Sequence, residues 1–446
     1  MDIQILTPEQ YENFLESTHM AYNFMQSSEF VNSMKNDEVL ILGGSENGQL
    51  LYAVIAILRP AMKLFKYASS PREWVAASSE LLSDQARLQE FVDGAAKVLK
   101  EKKAIVWLVE SNIEYQQHDR NGQVLEDGFQ NEAYRDFLAS LGFEKGPLWV
   151  GYDEGRQSRW VSWIDLQKKL PETYQGFPAP LANGLQEYTW AELLKEMAGN
   201  TRRSFQKTDL PYIECVRKDG TEDFDLSEFD ALLEASAEKH NFHAGGSAHR
   251  KDLLKAFGKR GYLCTSYLNL DAYETYLNQK EQEFSQAEAK ALEVCEKMPN
   301  SKKKRNQLLE IQEQKKHNEK EMAALKELAA SESERVLPLA SGIFLETPSE
   351  MVYLFGGSRP DLARYMGPYA MQKMMIHLAL DHGLQRYNFW GISGHFEPEQ
   401  EGYGVYFFKK NLGATVGEYA GEFYRPLNPM LSKLFLNKIR PDRVQK

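Results

Sequence analysis

Among the residues of this chain whose type and setting suit chemistry, Lys409 comes first. It follows the aromatic run Tyr406-Phe407-Phe408 and precedes a turn at Gly413. A cation held beside aromatic walls can stabilise negative charge that develops during a reaction. The run reads as a strand, which would send Phe408 and Lys409 to opposite faces. The plain alternative is a surface lysine at a strand end. Arg202 and Arg203 open a basic run through Lys207, suited to gripping phosphates or to ending a solvated helix. Arg159, between strand-forming neighbours, reads as a ligand contact or a buried ion-pair partner. Tyr353, Tyr365, Tyr369 and Tyr387 would line a channel or fill a core. His395 lies in a turn that reads as solvent-facing.

Other chemistries lack their residues. There is no G-x-S-x-G elbow and no evident nucleophile pairing. Cys215, Cys264 and Cys295 are far apart with no C-x-x-C, so neither a zinc site nor a disulfide framework is indicated. No metal and no resident cofactor are expected, and a reducing cytoplasmic setting fits. The net charge of -11 argues against coating nucleic acid by bulk charge, so any RNA contact needs a local patch. The start MDIQILTPEQYENFLE lacks the character of a signal peptide, and no run reaches the ~18 apolar residues of a membrane span. The tail KLFLNKIRPDRVQK mixes basic and apolar residues and could touch an anionic membrane surface, although a solvated terminal helix is the simpler reading.

These residues need elements to position them. At 446 residues, two or three domains are expected, and a hydrophobic content of 42% is enough for real cores. Val39 to Leu42 and Leu51 to Leu58 read as a hairpin around the loop 43–48. A helix spans Leu81 to Leu99, a buried strand Ala104 to Val109, and a helix from Glu132 stops at Gly142. From Val161 the order repeats: strand 161–166, helix 189–197, strand 212–216, helix 226–239 and strand 262–268. This predicts a duplicated mixed α/β fold. Between Asp271 and Glu334 apolar residues recur at steps of 4 and 3, broken at Pro299. That pattern predicts an antiparallel helical hairpin with arms of roughly 40 Å and Lys302-Lys303-Lys304-Arg305 at its tip. Strands at 337–346 and 351–355 follow, then a helix 370–382 and a strand 387–390.

Several short sequences occur in a telling order. They include Met25-Gln26-Ser27, Leu141-Gly142-Phe143, Gln157-Ser158-Arg159-Trp160, Asn200-Thr201-Arg202-Arg203, Gly356-Gly357-Ser358, Pro368-Tyr369-Ala370, Tyr387-Asn388-Phe389, Phe408-Lys409 and Glu418-Tyr419-Ala420-Gly421-Glu422-Phe423. Together they resemble the FemABX family of peptidoglycan interpeptide-bridge aminoacyltransferases, in its FemA/FemB type with a coiled-coil arm. The resemblance spans nearly the whole chain and is strongest beyond residue 337. It implies two tandem GNAT-like domains: 1–160; 161–270 with 335–410, interrupted by the arm 271–334; and a last segment, 411–446, that returns to the first.

The resemblance also implies a reaction. An amino acid (Gly, Ala or Ser) passes from aminoacyl-tRNA, the co-substrate, to a stem-peptide amine of a lipid-linked or UDP-linked precursor. This is ester aminolysis, which needs a deprotonated amine and a stabilised oxyanion but no covalent enzyme intermediate. In those terms Lys409 with Phe408 would stabilise the oxyanion and Glu110 would orient or deprotonate the amine. Arg202, Arg203 and Arg159 would hold substrate phosphates or ligand. Tyr353, Tyr365, Tyr369 and Tyr387 would line the stem-peptide channel, and Lys302, Lys303, Lys304 and Arg305 would touch tRNA. Glu422 matches an acidic position of the family. Where relatives have Ser-x-Arg-Gly-Pro, this chain has Ala-Ser-Ser-Pro-Arg ending at Arg72. The stretch His240-Asn241-Phe242-His243-Ala244-Gly245 lacks the arginine that relatives place after it for a nucleotide-linked acceptor. Membrane-peripheral location and other bridge-forming transferases as partners are further expectations. Two other readings are a CoA-dependent N-acetyltransferase, for which no pyrophosphate-binding Gly-rich turn is found, and a non-catalytic scaffold.

Overall fold

The structure, a computed structural model, describes residues 1–153, 155–168, 174–178, 181, 187–240 and 246–444. The stretch 241–245 therefore lies outside the described residues. The first half runs β1 (Asp2–Ile5), α1 (Pro8–Thr18), α2 (Ser28–Ser33), β2 (Glu38–Glu46), β3 (Gln49–Met62), β4 (Phe65–Ser70), β5 (Trp74–Ala76), α3 (Gln85–Glu101), β6 (Ala104–Glu110), β7 (Glu114–Gln117), α4 (Glu132–Ser140) and β8 (Glu144–Lys145). Next come β9 (Trp160–Asp165), α5 (Trp190–Glu196), α6 (Gly199–Lys207), β10 (Ile213–Asp219), α7 (Ser227–His240), α8 (Ser247–Phe257) and β11 (Gly261–Asn269). The arm is α9 (Leu270–Lys297) and α10 (Lys302–Ser331). The chain closes with β12 (Val336–Glu346), β13 (Glu350–Ser358), α11 (Gly367–Asp381), β14 (Arg386–Ile392), α12 (Tyr403–Asn411), β15 (Thr415–Tyr419), β16 (Glu422–Pro426) and α13 (Pro429–Ile439).

These strands form two sheets. The first has the order β1-β2-β3-β4-β6-β16-β8, with β5 also on β3; the second has the order β10-β11-β12-β13-β14-β9-β15-β7. Each sheet holds one parallel pair bridged by a helix: β4 and β6 through α3, and β13 and β14 through α11. The fold is duplicated, but the matching segments are β4-α3-β6 and β13-α11-β14, not the run 161–268 in which element order suggested the repeat. The two units also interlock. β7, from the first half, pairs with β15 in the second sheet, and β16, from the end of the chain, pairs with β6 in the first.

Strand β3 shows why the sheets pack as they do. Its side chains alternate in direction. Tyr52, Val54, Ala56 and Leu58 enter a core with Leu88, Phe91 and Val92 of α3. Ala53, Ile55 and Ile57 enter a second core with Phe24, Ile343, Leu345, Val352 and Trp390, which joins the two units. The hairpin before it is tighter than the loop 43–48 predicted. Gly43 and Gly44 belong to β2, and the turn is Asn47-Gly48, both at positive φ (52° and 82°), as a two-residue hairpin turn requires. A side chain on Gly44 would collide with Phe91, which explains a glycine inside a strand.

The arm forms as the apolar spacing predicts. Tyr273, Leu277 and Leu325 are buried at the base of the arm, where its helices meet Tyr212, Leu337 and Tyr365, and Tyr273 Oη donates to Glu321 across the pair. Asn318 occupies one polar slot of the pattern. It is buried and donates to the Leu277 carbonyl and to Glu281, so it ties α10 to one register on α9.

One element departs from expectation. The run ending at Lys409-Lys410 is a helix, α12, and not a strand. Gly402 at φ 77° opens it and Gly413 at φ 87° follows it. Tyr403 and Phe407 stack across one turn at 5.5 Å. Aromatic strand propensity loses here to tertiary packing. Phe408 and Lys409 therefore diverge by the angle between successive helical residues and do not face opposite sides of a sheet.

Candidate active site

The carboxyl ends of parallel strands are where open α/β sheets place ligands. In this protein the ends of β4, β6 and β14 meet at the junction of the two units. Just past the end of β4, Arg72 and Glu73 both have positive φ, 61° and 59°. Trp390, near the end of β14, has φ 63°. For a bulky residue this is a true outlier, and strain of this kind is kept where the surroundings over-determine it, often at active sites.

Contacts join the three ends. The Arg72 guanidinium lies 3.8 Å from the Tyr419 ring centre and 5.3 Å from that of Trp390. It donates to the carbonyls of Ser111, past β6, and Ser158, before β9. Phe24 packs against Trp390 edge-on at 5.2 Å. Asn388 holds the β14 irregularity: its Oδ1 accepts from the Trp390 N–H at 2.8 Å, and its Nδ2 donates to Glu350.

Lys409 reaches this place from α12. Its ammonium donates to the Gly391 carbonyl at 2.6 Å and to the Trp390 carbonyl at 3.3 Å. It is only 5% exposed, and burial with no carboxylate partner pushes its pKa down to about 7. Phe408 points elsewhere, against Tyr369, which in turn packs on Phe205 of α6. The exposed Arg202 and Arg203 are on that same helix, with Arg202 also donating to the Lys195 carbonyl. Phe408 and Tyr369 thus connect α12 to α6 through Phe205, on a side of α12 other than the one from which Lys409 reaches Gly391.

Glu110 is connected to it by a short path. Its Oε1 accepts the Gln157 N–H at 2.6 Å, Ser158 follows in sequence, and a side chain on Gly391 would strike Ser158 Oγ. Burial, and next the facing Glu422, raise the Glu110 pKa to about 7. Glu422 itself is gripped by Arg440 and Arg156.

The side chains of the remaining predicted residues have other partners, although the Arg159 carbonyl accepts from the Tyr419 N–H. Arg159 is buried in an ion pair with Glu418, which also bonds His118. Tyr387 is wholly buried and donates to Gln372, and Tyr353 stacks on Phe344. Tyr365 packs on Tyr273 at the base of the arm. Lys302, Lys303, Lys304 and Arg305 occupy the first turn of α10, at the tip. His395 Nδ1 faces the Glu401 carbonyl in an outer turn.

Sequence reasoning missed a small cavity beside Tyr419, of about 100 Å³. It is bordered by Glu114, Asp165, Glu350 and Arg386. Its carboxylates are too far apart in sequence for any local signal to reveal them. Among the described residues no cluster of His, Cys, Asp and Glu could hold a metal ion, and no helix is long and apolar enough to cross a membrane.

Comparison with known proteins agrees with this architecture. The chain is 28% identical over 455 residues to aminoacyltransferase FemA of Staphylococcus aureus strain bovine RF122 / ET3-1, covering 98% of this chain and 99% of that protein. The FemA of strain MW2 matches to the same extent. The crystal structure of FemX superposes with a TM-score of 0.74 at 20% identity, over 97% of this chain and 99% of that one, and so shares the fold. The model of the FemAB family matches residues 6–177 and 181–437. With both units, the arm and most of the closing segment inside that match, this chain belongs to the FemAB family.

Proposed function

We propose that this protein is an aminoacyltransferase that builds the interpeptide bridge of peptidoglycan. It moves glycine, alanine or serine from the 3′ ester of a charged tRNA to an amine on the stem peptide of a lipid-linked or UDP-linked precursor. The amine nitrogen attacks the ester carbonyl, an oxyanion forms and collapses, and the ribose oxygen leaves with a proton. An ester is already activated, so aminoacyl-tRNA is the only co-substrate and no resident cofactor takes part.

The observation that carries this reading is Lys409, buried beneath the strained Trp390-Gly391 backbone where the strand ends of the two units meet. In its charged form Lys409 is the electrostatic partner of the oxyanion. Glu110, with a pKa near neutrality, suits the role of proton acceptor for the amine. The cavity beside Tyr419 offers polar groups near the junction, but its carboxylates already have partners: Arg386 pairs with Asp165 and Glu114, and Asn388 donates to Glu350. Arg202 and Arg203 offer an exposed basic face to phosphates. At the arm tip four cations crowd the positive end of the α10 dipole, an arrangement that costs helix stability and favours a polyanion such as tRNA. Other bridge-forming transferases would act before or after this one.

The test is direct. Purified protein, lipid-linked or UDP-linked precursor and a panel of glycyl-, alanyl- and seryl-tRNA should yield a stem peptide heavier by one residue in mass spectrometry. No extended product with any member of the panel would reject the proposal.

A further inference from the structure

One end of the first unit carries apolar side chains that remain open to solvent. The β3–β4 turn exposes Leu64 (75%) and Phe65 (37%), and α13 exposes Met430 (75%) and Leu434 (59%). These four belong to one end and one face. Phe65 and Tyr67 alternate to the same side of β4, and the Tyr67 ring packs at a tilt against Phe435 of α13, centroids 5.1 Å apart. The first turn of α13 is bolted to the start of β6: the N–H groups of Leu427 and Asn428 and the hydroxyl of Ser432 all donate to the Ile105 carbonyl. Beside it, Lys66 of β4 is in register with Ala104. The tip of the β3–β4 hairpin and the outer face of α13 therefore share one rim.

The charge around that rim is cationic. Lys63, Lys102, Lys103, Lys433 and Lys438 are exposed there. Of the nearby acids, Glu38 is paired with Lys66 and Asp37 with Arg59, leaving Glu101 at the end of α3. α13 itself contains no acidic residue. In a chain of net charge -11 this is a local reversal of sign.

We infer that this rim docks the protein on an anionic lipid bilayer. Leu64, Phe65, Met430 and Leu434 enter the interfacial layer while the lysines face lipid phosphates. Shallow apolar insertion beside a ring of lysines is how peripheral proteins hold anionic membranes. The rim is at the start of β4 and Arg72 just past its end, so roughly 20 Å separates bilayer from junction, at ~3.3 Å per residue. An extended peptide on a lipid-linked precursor spans that distance. The choice of a lipid partner draws on the proposed function, but the surface is tested without it.

Full-length protein is sedimented with phosphatidylcholine vesicles, with and without about one third phosphatidylglycerol. Binding is expected only to the anionic vesicles and should weaken from low to high salt. Met430→Glu/Leu434→Glu and Lys63→Glu/Lys433→Glu should each lower the bound fraction at least about fivefold with unchanged melting temperature, since all four side chains are exposed. Transfer to a soluble UDP-linked acceptor should not change in these variants. Absence of anion-dependent binding, or variants that bind like the parent, would overturn the inference. So would a concentration-dependent dimer, abolished by Met430→Glu/Leu434→Glu, without vesicle binding, because the rim would then cover a second copy. Failure of aminoacyl transfer alone would touch the proposed function and leave the vesicle result standing.

Discussion

Lys409 donates from inside α12 to the carbonyl of Gly391, 2.6 Å away and 18 residues earlier in the chain. This bond ties a buried ammonium to the one place where β14 breaks register with β9. It also fixes which face of α12 looks inward, so Phe408 is turned toward Tyr369 and the basic helix α6.

Replacing Lys409 by alanine should cut the turnover number by about 10²–10³ while changing the KM for the acceptor by less than about threefold, as expected when a group acts mainly on the transition state. Steady-state kinetics with a varied acceptor measures both. Equal losses in the two would reject the oxyanion role.

The pH dependence follows from the same burial. With the Lys409 pKa at about 7, a role for the charged amine predicts activity that falls as pH rises through 7. Lys409→Arg, which stays protonated, should lose that limb even if its rate is low. Stability should move the other way. The native state binds fewer protons than the unfolded chain between about 7 and the ordinary lysine value of 10.5, so stability rises with pH across that window. The slope is at most about 1.4 kcal/mol per pH unit, and urea melts of Lys409→Met should lack it.

Glu110 has the opposite sign. Its carboxyl, raised to about 7, is held protonated by burial and by Glu422, so the native state binds the extra proton between the ordinary 4.5 and 7. Stability from this group is lost as pH rises through that range. Glu110→Gln keeps the shape and the acceptor for Gln157 N–H, so it should melt higher than the parent at pH 8 and alike at pH 4. If Glu110 takes the amine proton, the variant should also lose about 10²-fold in turnover.

The arm separates donor from acceptor. Lys302→Glu/Lys303→Glu/Arg305→Glu should raise the KM for aminoacyl-tRNA at least about tenfold and leave the acceptor KM alone. It should also reduce the slope of log affinity against log salt by roughly 0.7–0.9 for each tRNA phosphate that the tip neutralises in the parent. An unchanged tRNA affinity in filter binding would show that the tip does not touch RNA. Removal of 271–334 with full transfer activity retained would assign the arm to assembly.

The helical arm, the strand and helix order, the hairpin before β3 and the family were legible along the chain, because each rests on local spacing or on short sequences in a set order. Apolar steps of 4 and 3 specify an amphipathic helix wherever it sits, and two β-rich runs around a Gly-rich loop specify a hairpin, though not that its turn is Asn47-Gly48. Those signals reach only a few residues. The state of Tyr403–Asn411 was decided by packing: glycines at both ends and a buried lysine with carbonyl partners made a helix from residues that favour strands. Arg72, Trp390 and Glu110 became neighbours only when two sheets interlocked through β7 and β16. The pKa values of Lys409 and Glu110 had the same origin, since burial exists only in the folded chain. Composition placed a lysine after Phe408; the tertiary structure removed its water and aimed it at Gly391.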